Sequence, residues 1–156
     1  MSAVFNFASR PDLEPEDNLN GFIDMCRNQL TLFGKDLDFD ANVWDVTDHV
    51  ELKGSGNKKV RVPFCNLESA GDREFEPMQM PFLVFAKAYF RYMHALRPTK
   101  IVAQRVAVLR TVEIALRQLG RAPCVLNVTA EVFNRAAEIN VNKYAESTAY
   151  RHGVQL

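Results

Sequence analysis

Apolar side chains recur at helical spacing along most of this chain and alternate in one short stretch. Leu19, Phe22, Ile23, Cys26, Leu30 and Phe33 predict a helix over roughly 18–33, with Asp17-Asn18 placed to cap it and Gly34 to end it. Residues 1–16 are polar with two prolines and read as an extended lead-in. The segments 43–52 (Val43, Trp44, Val46, Val50, Leu52) and 59–64 (Val60, Val62, Phe64) are β-branched or aromatic. Between them lies Gly54-Ser55-Gly56-Asn57, so a β-hairpin is expected. Residues 65–80 read as an acidic loop leading to Pro81.

The pattern then becomes helical throughout. Pro81 suits a first helical turn, and Phe82, Phe85, Ala86, Tyr89, Phe90, Met93 and Leu96 form a wide apolar stripe ended by Arg97-Pro98. Thr99 is placed to cap a second helix at about 100–119, with Val102, Val106, Leu109, Val112, Leu116 and Leu119 inward and Gly120 as its stop. Thr129 heads a short third helix with Val132, Phe133, Ala136 and Ile139 inward. Ser147-Thr148 opens a fourth over 148–156, truncated after one or two turns. These spacings predict a mainly α protein, a helical bundle preceded by a small α+β N-terminal region.

Composition changes little until the charges are located. The 156 residues carry 19 Lys+Arg against 19 Asp+Glu, with 47% hydrophobic and 24% charged positions. This excludes collagen, a disordered tail, a disulfide miniprotein and a membrane span. The zero balance, however, is a sum of unlike parts. Residues 1–78 hold 15 acids and 8 bases, a charge of −7. Residues 79–126 hold 8 bases and only Glu113 as an acid, a charge of +7, and residues 127–156 cancel. The expected division is an acidic region at 1–78 and a basic, all-helical region at 79–156. Such asymmetry points to a nucleic acid or another acidic partner. The competing reading is that the cations are solvated helix faces, some paired with the acidic half.

The cations are expected to lie off the apolar stripes. Lys87, Arg91 and His94 share one face of the first basic helix. Arg110 and Arg117 stack a heptad apart on the second, where Glu113 can pair with Arg117 at i, i+4. Arg97, Thr99 and Lys100 crowd the corner between these helices, joining cations and a hydroxyl to the free N–H groups of a helix start, as a phosphate site requires.

Other chemistry is missing from the pattern. Cys26, Cys65 and Cys124 are odd in number and widely spaced, which fits a reducing cytosol, and no secretory signal precedes them. The expected location is therefore cytoplasmic. The cysteines and His49, His94 and His152 lack metal-ligand spacing, so neither a metal nor a cofactor is expected. Gly54 to Lys59 lacks the spacing of a phosphate loop, and no nucleophile elbow occurs. No catalytic residue is assigned, and the chain is read as a non-enzyme.

Three stretches carry a family resemblance. Met80-Pro81-Phe82-Leu83-Val84-Phe85-Ala86-Lys87-Ala88-Tyr89-Phe90-Arg91-Tyr92, followed by Leu96-Arg97-Pro98-Thr99-Lys100, resembles the N-terminal part of phage-integrase-type tyrosine recombinases. So does Asn127-Val128-Thr129-Ala130-Glu131-Val132-Phe133-Asn134-Arg135-Ala136-Ala137, and Tyr144 to Arg151 is similar to the start of the family's fourth helix. The resemblance covers residues 79–156. It implies a SAM-like core-binding domain that clamps duplex DNA while a separate C-terminal catalytic domain cuts and rejoins strands.

This chain departs from the family in two respects. Thr99 is followed four residues on by Ala103 where many members have an aromatic, and the family's catalytic Arg, Lys/His, His-x-x-Arg and Tyr set has no counterpart. The implied reading is a DNA-binding N-terminal fragment of a recombinase, incomplete at its C-terminus. Lys87, Arg91, Arg97, Thr99, Lys100, Arg105, Arg110 and Arg151 are its candidate DNA contacts. Its implied partners are duplex DNA, its own catalytic domain and further copies on DNA, with no membrane. The acidic region would contact a neighbouring protomer or the catalytic domain. The alternative is a helical protein-interaction module whose basic face binds an acidic partner.

Overall fold

The computed structural model describes residues 6–30, 37–49, 59–65, 76–97 and 102–143. The first helix, α1, spans Pro15–Asn28 and starts three residues before the expected position, with Pro15 at its first turn and Glu16 and Asp17 beside its N-terminus. Proline costs nothing there and the acids complement the helix dipole. Asn18 is therefore not a cap. Its side chain folds back on the lead-in, accepting the Arg10 N–H at 2.7 Å and donating to the Arg10 carbonyl at 2.9 Å. Phe33 and Gly34 lie outside the described residues.

Strands β1 (Val43–Asp45) and β2 (Arg61–Pro63) pair antiparallel, with Trp44 opposite Val62. The hairpin's strands are as expected in order and direction, while its turn at 54–57 lies outside the described residues. The first strand is shorter than the apolar pattern suggests. The Asp45 carboxylate accepts both the N–H and the hydroxyl of Thr47, and the chain curls there into a 3-10 turn at Thr47–His49. Those bonds hold the Asp45 carboxyl below its ordinary value. Alternation sends Trp44, Val46, Val62 and Phe64 inward. The Met78 N–H donates to the Phe64 carbonyl at 3.0 Å, so the approach to the next helix runs beside β2.

Three helices follow: α2 (Phe82–Leu96), α3 (Val102–Gln118) and α4 (Ala130–Lys143). Gly120, at φ +66°, ends α3 as expected. There the Arg121 N–H reaches back to the Leu116 carbonyl and the Gly120 N–H to that of Arg117, closing the last turn in the left-handed manner that glycine permits. Helix α4 packs on α3 through Val132 and Ala136, but Phe133, expected inward, is 40% exposed. Asn140 is buried instead, and its Oδ1 accepts the Thr111 hydroxyl at 3.3 Å. The expected helix at 148–156 lies outside the described residues.

The molecule is mainly helical with one small sheet, and its hydrophobic core crosses residue 79. Cys26, Leu30, Trp44, Val62 and Phe64 belong to the same buried cluster as Phe82, Phe90, Val106, Leu116 and Val132. At its centre the rings of Trp44, Phe64 and Phe90 meet edge to face, with centroids 4.8–6.2 Å apart. Each such pair contributes about 0.5–1.5 kcal/mol beyond area burial.

Candidate nucleic-acid interface

The site expected along α2 is turned differently from its apolar pattern. Phe82, Ala86 and Phe90 are buried, yet Phe85, Tyr89 and Met93 are half-buried and Leu96 is 37% exposed. Leu83, Lys87, Ala88, Arg91 and His94 are buried in their place. Helix α2 meets α1, the sheet and α3 on different sides, so the covered part of its circumference includes the cationic face. That face was expected to be solvated.

Two candidate DNA contacts are consequently internal. Lys87, 3% exposed, donates from Nζ to the Asp40 carbonyl at 3.0 Å and to Asn42 Oδ1 at 3.2 Å. Burial lowers its pKa, and the nearby charges of Asp40 and Asp38 oppose that shift. Arg91, 7% exposed, reaches the Arg27 carbonyl at 3.4 Å. It lies beside Cys26, whose thiol burial pushes up to about 12 despite the opposing pull of the guanidinium. Both cations of α2 are thus bound to the acidic half.

Helix α3 divides its charges in a similar way. Arg110, a third candidate, is buried and donates from Nε to the Cys65 carbonyl at 2.7 Å. Glu113 is fully buried and accepts from Arg117 Nη2 at 2.9 Å, the i, i+4 pair expected from spacing. Beyond the helix, Arg121 donates to the Asn127 carbonyl and to Thr129 Oγ1 at 2.7 Å and pairs with Glu131. One side chain therefore ties the end of α3 to the start of α4.

Two described candidates do not bind the acidic half. Arg97 is exposed at the end of α2, and half-buried Arg105 on the first turns of α3 donates from Nη2 to the Arg97 carbonyl. The other terminal nitrogen of Arg105, Nη1, finds no acceptor among the described residues. Burial lowers the Arg105 pKa; Tyr89 raises it and Arg97 lowers it further, so the three groups lie within electrostatic reach of one another. Neither arginine forms an ion pair among the described residues. The α2–α3 corner thus brings Arg97 and Arg105 together and separates them from Lys87, Arg91 and Arg110. Thr99, Lys100 and Arg151 lie outside the described residues.

Sequence reasoning overlooked the acceptors of the buried cations. Three are main-chain carbonyls, of Arg27, Asp40 and Cys65, which carry no residue-specific signal; the matched charges of −7 and +7 were the one available hint. Among the described residues no group of three His, Cys, Asp or Glu side chains is placed to hold a metal ion. No helix among them is long and apolar enough to cross a membrane. No family model, curated protein or solved structure matches this chain.

Proposed function

We propose that the chain is the DNA-binding portion of a site-specific recombinase of the phage-integrase tyrosine type. Residues 79–156 would form its SAM-like core-binding bundle, holding duplex DNA for a C-terminal catalytic domain. The observation that carries this reading is the unneutralised pair Arg97 and Arg105 at the α2–α3 corner. Arg105 reaches the Arg97 carbonyl and the two like charges oppose each other, a repulsion that an anion would relieve, and a phosphate backbone supplies anions at regular spacing. Thr99 and Lys100 lie between them in sequence. Lys87 and Arg110 fix α2 and α3 to the sheet region, and Arg91 fixes α2 to α1.

Phosphate contacts confer affinity and register, not base choice. The 156-residue chain is expected to shift a duplex in a mobility assay, with affinity falling steeply as salt rises. Arg97→Ala is expected to lower the salt slope by about 1 while changing stability by no more than about 0.5 kcal/mol. Undetectable duplex binding at low salt, or an unchanged slope, refutes the proposal.

A second reading, a protein-interaction module, is favoured by one observation on α4. Phe133, Ala137 and Val141 follow at i, i+4 and i+8 and are all exposed, Val141 at 70%. An open apolar row of this kind marks protein contact surfaces. Salt-insensitive self-association in light scattering, without a DNA shift, would favour it.

A further inference from the structure

The half-exposed strip of α2 offers chemistry that a duplex clamp does not use. Phe85 and Tyr89 stack with centroids 5.6 Å apart and an interplanar angle of 28°. Phe22 of α1 packs beside them, 6.3 Å from Phe85 and 5.3 Å from Tyr92, and Phe7 extends the row at 5.2 Å from Phe22. Phe85, Tyr89 and Tyr92 are only half-buried, and Leu96 continues their line to Arg97. Arg105 lies within electrostatic reach of Tyr89, its Nη2 held on the Arg97 carbonyl. Helix α2 contains no acidic residue, and the only one on α3, Glu113, is buried against Arg117. The strip is therefore aromatic along its length and cationic at one end, with no carboxylate from either helix to satisfy the arginines.

We propose that this strip binds a single-stranded nucleic-acid segment, its bases stacking on the Tyr89 row and its phosphates meeting Arg97 and Arg105. Paired bases have their faces covered by their neighbours, whereas an unpaired strand can lay a base on an aromatic side chain. Each such contact is worth a measurable part of the affinity whatever the base. The inference rests on the same two arginines as the duplex reading, but it requires no duplex.

The test is fluorescence anisotropy of the full chain with one labelled oligonucleotide, presented single-stranded and as a duplex. Tyr89→Leu keeps apolar volume and removes the ring, while Tyr89→Phe keeps the ring; far-ultraviolet circular dichroism checks that both remain folded. Single-strand affinity is expected to fall at least about 5-fold in Tyr89→Leu and to hold in Tyr89→Phe. Duplex affinity should move less than about 2-fold, because the ring contributes nothing to phosphate contacts. Arg97→Ala should weaken both.

Equal losses for single strand and duplex in Tyr89→Leu, or no loss for either, overturn the proposal. So does displacement of the strand by polyglutamate as effectively as by unlabelled strand, since that is charge without stacking. Duplex binding with no single-strand binding overturns this inference alone. Single-strand binding with no duplex binding overturns only the duplex reading.

Discussion

The cations of α2 and those of the α2–α3 corner are alike in chemistry and opposite in use. Lys87 and Arg91 are buried and donate to main-chain carbonyls of the acidic half. Arg97 is exposed, and half-buried Arg105 is held on the Arg97 carbonyl rather than on the acidic half. A net charge of +7 on a segment therefore overstates what it can offer a polyanion. The cations left to meet a polyanion are those that the fold does not bury against the acidic half.

The comparison can be broken most forcefully from the sheet side. Trp44, 2% exposed, packs among Phe39, Phe64 and Phe90 and belongs to the cover over the buried face of α2. Trp44→Ala is expected to cost about 3–5 kcal/mol in urea unfolding. A loss below about 1 kcal/mol would mean that this cover does not hold.

Lys87 sharpens the contrast at a single position. Lys87→Ala removes two hydrogen bonds and the packing of the aliphatic stem, for an expected loss of about 2–3 kcal/mol. Lys87→Met retains the stem and should lose only about 1 kcal/mol. If both variants match the parent, Lys87 is solvated in solution, as its place in the sequence pattern suggested.

The effect confined to the narrowest range of conditions is one of pH. Burial raises the Cys26 thiol from its ordinary 9.0 to about 12. Between those values the unfolded chain releases a proton that the folded chain keeps. The unfolded state then binds fewer protons, and stability falls as pH rises, by up to about 1.4 kcal/mol per pH unit. Below pH 9 this group has no effect. Cys26→Ala should flatten that slope between pH 9 and 11, and an unchanged slope would place its origin elsewhere.

Much of the architecture was legible in the sequence because its signals are local. Gly120 stops α3, the strands around Trp44 and Val62 pair as alternation implies, and Glu113 finds Arg117 one turn away. The rotation of α2 was not legible. Its apolar stripe is genuine, but periodicity records only that a helix has a preferred face. It does not reveal how many neighbours cover the rest, and the acceptors of Lys87 and Arg110 lie 45–47 residues away. The candidate site inherited that error in part. Arg97 and Arg105 were in the predicted set, whereas the internal role of Lys87, Arg91 and Arg110 depends on contacts that no spacing rule encodes.

The choice of acceptor also bears on how this sequence can vary. Lys87, Arg91 and Arg110 bind the carbonyls of Asp40, Arg27 and Cys65, and a carbonyl persists whatever side chain its residue carries. Each contact is therefore one-sided toward mutation: the cation is required, while positions 27, 40 and 65 can drift without losing the bond. These pairs would leave little trace of correlated substitution, although they join the two halves of the chain.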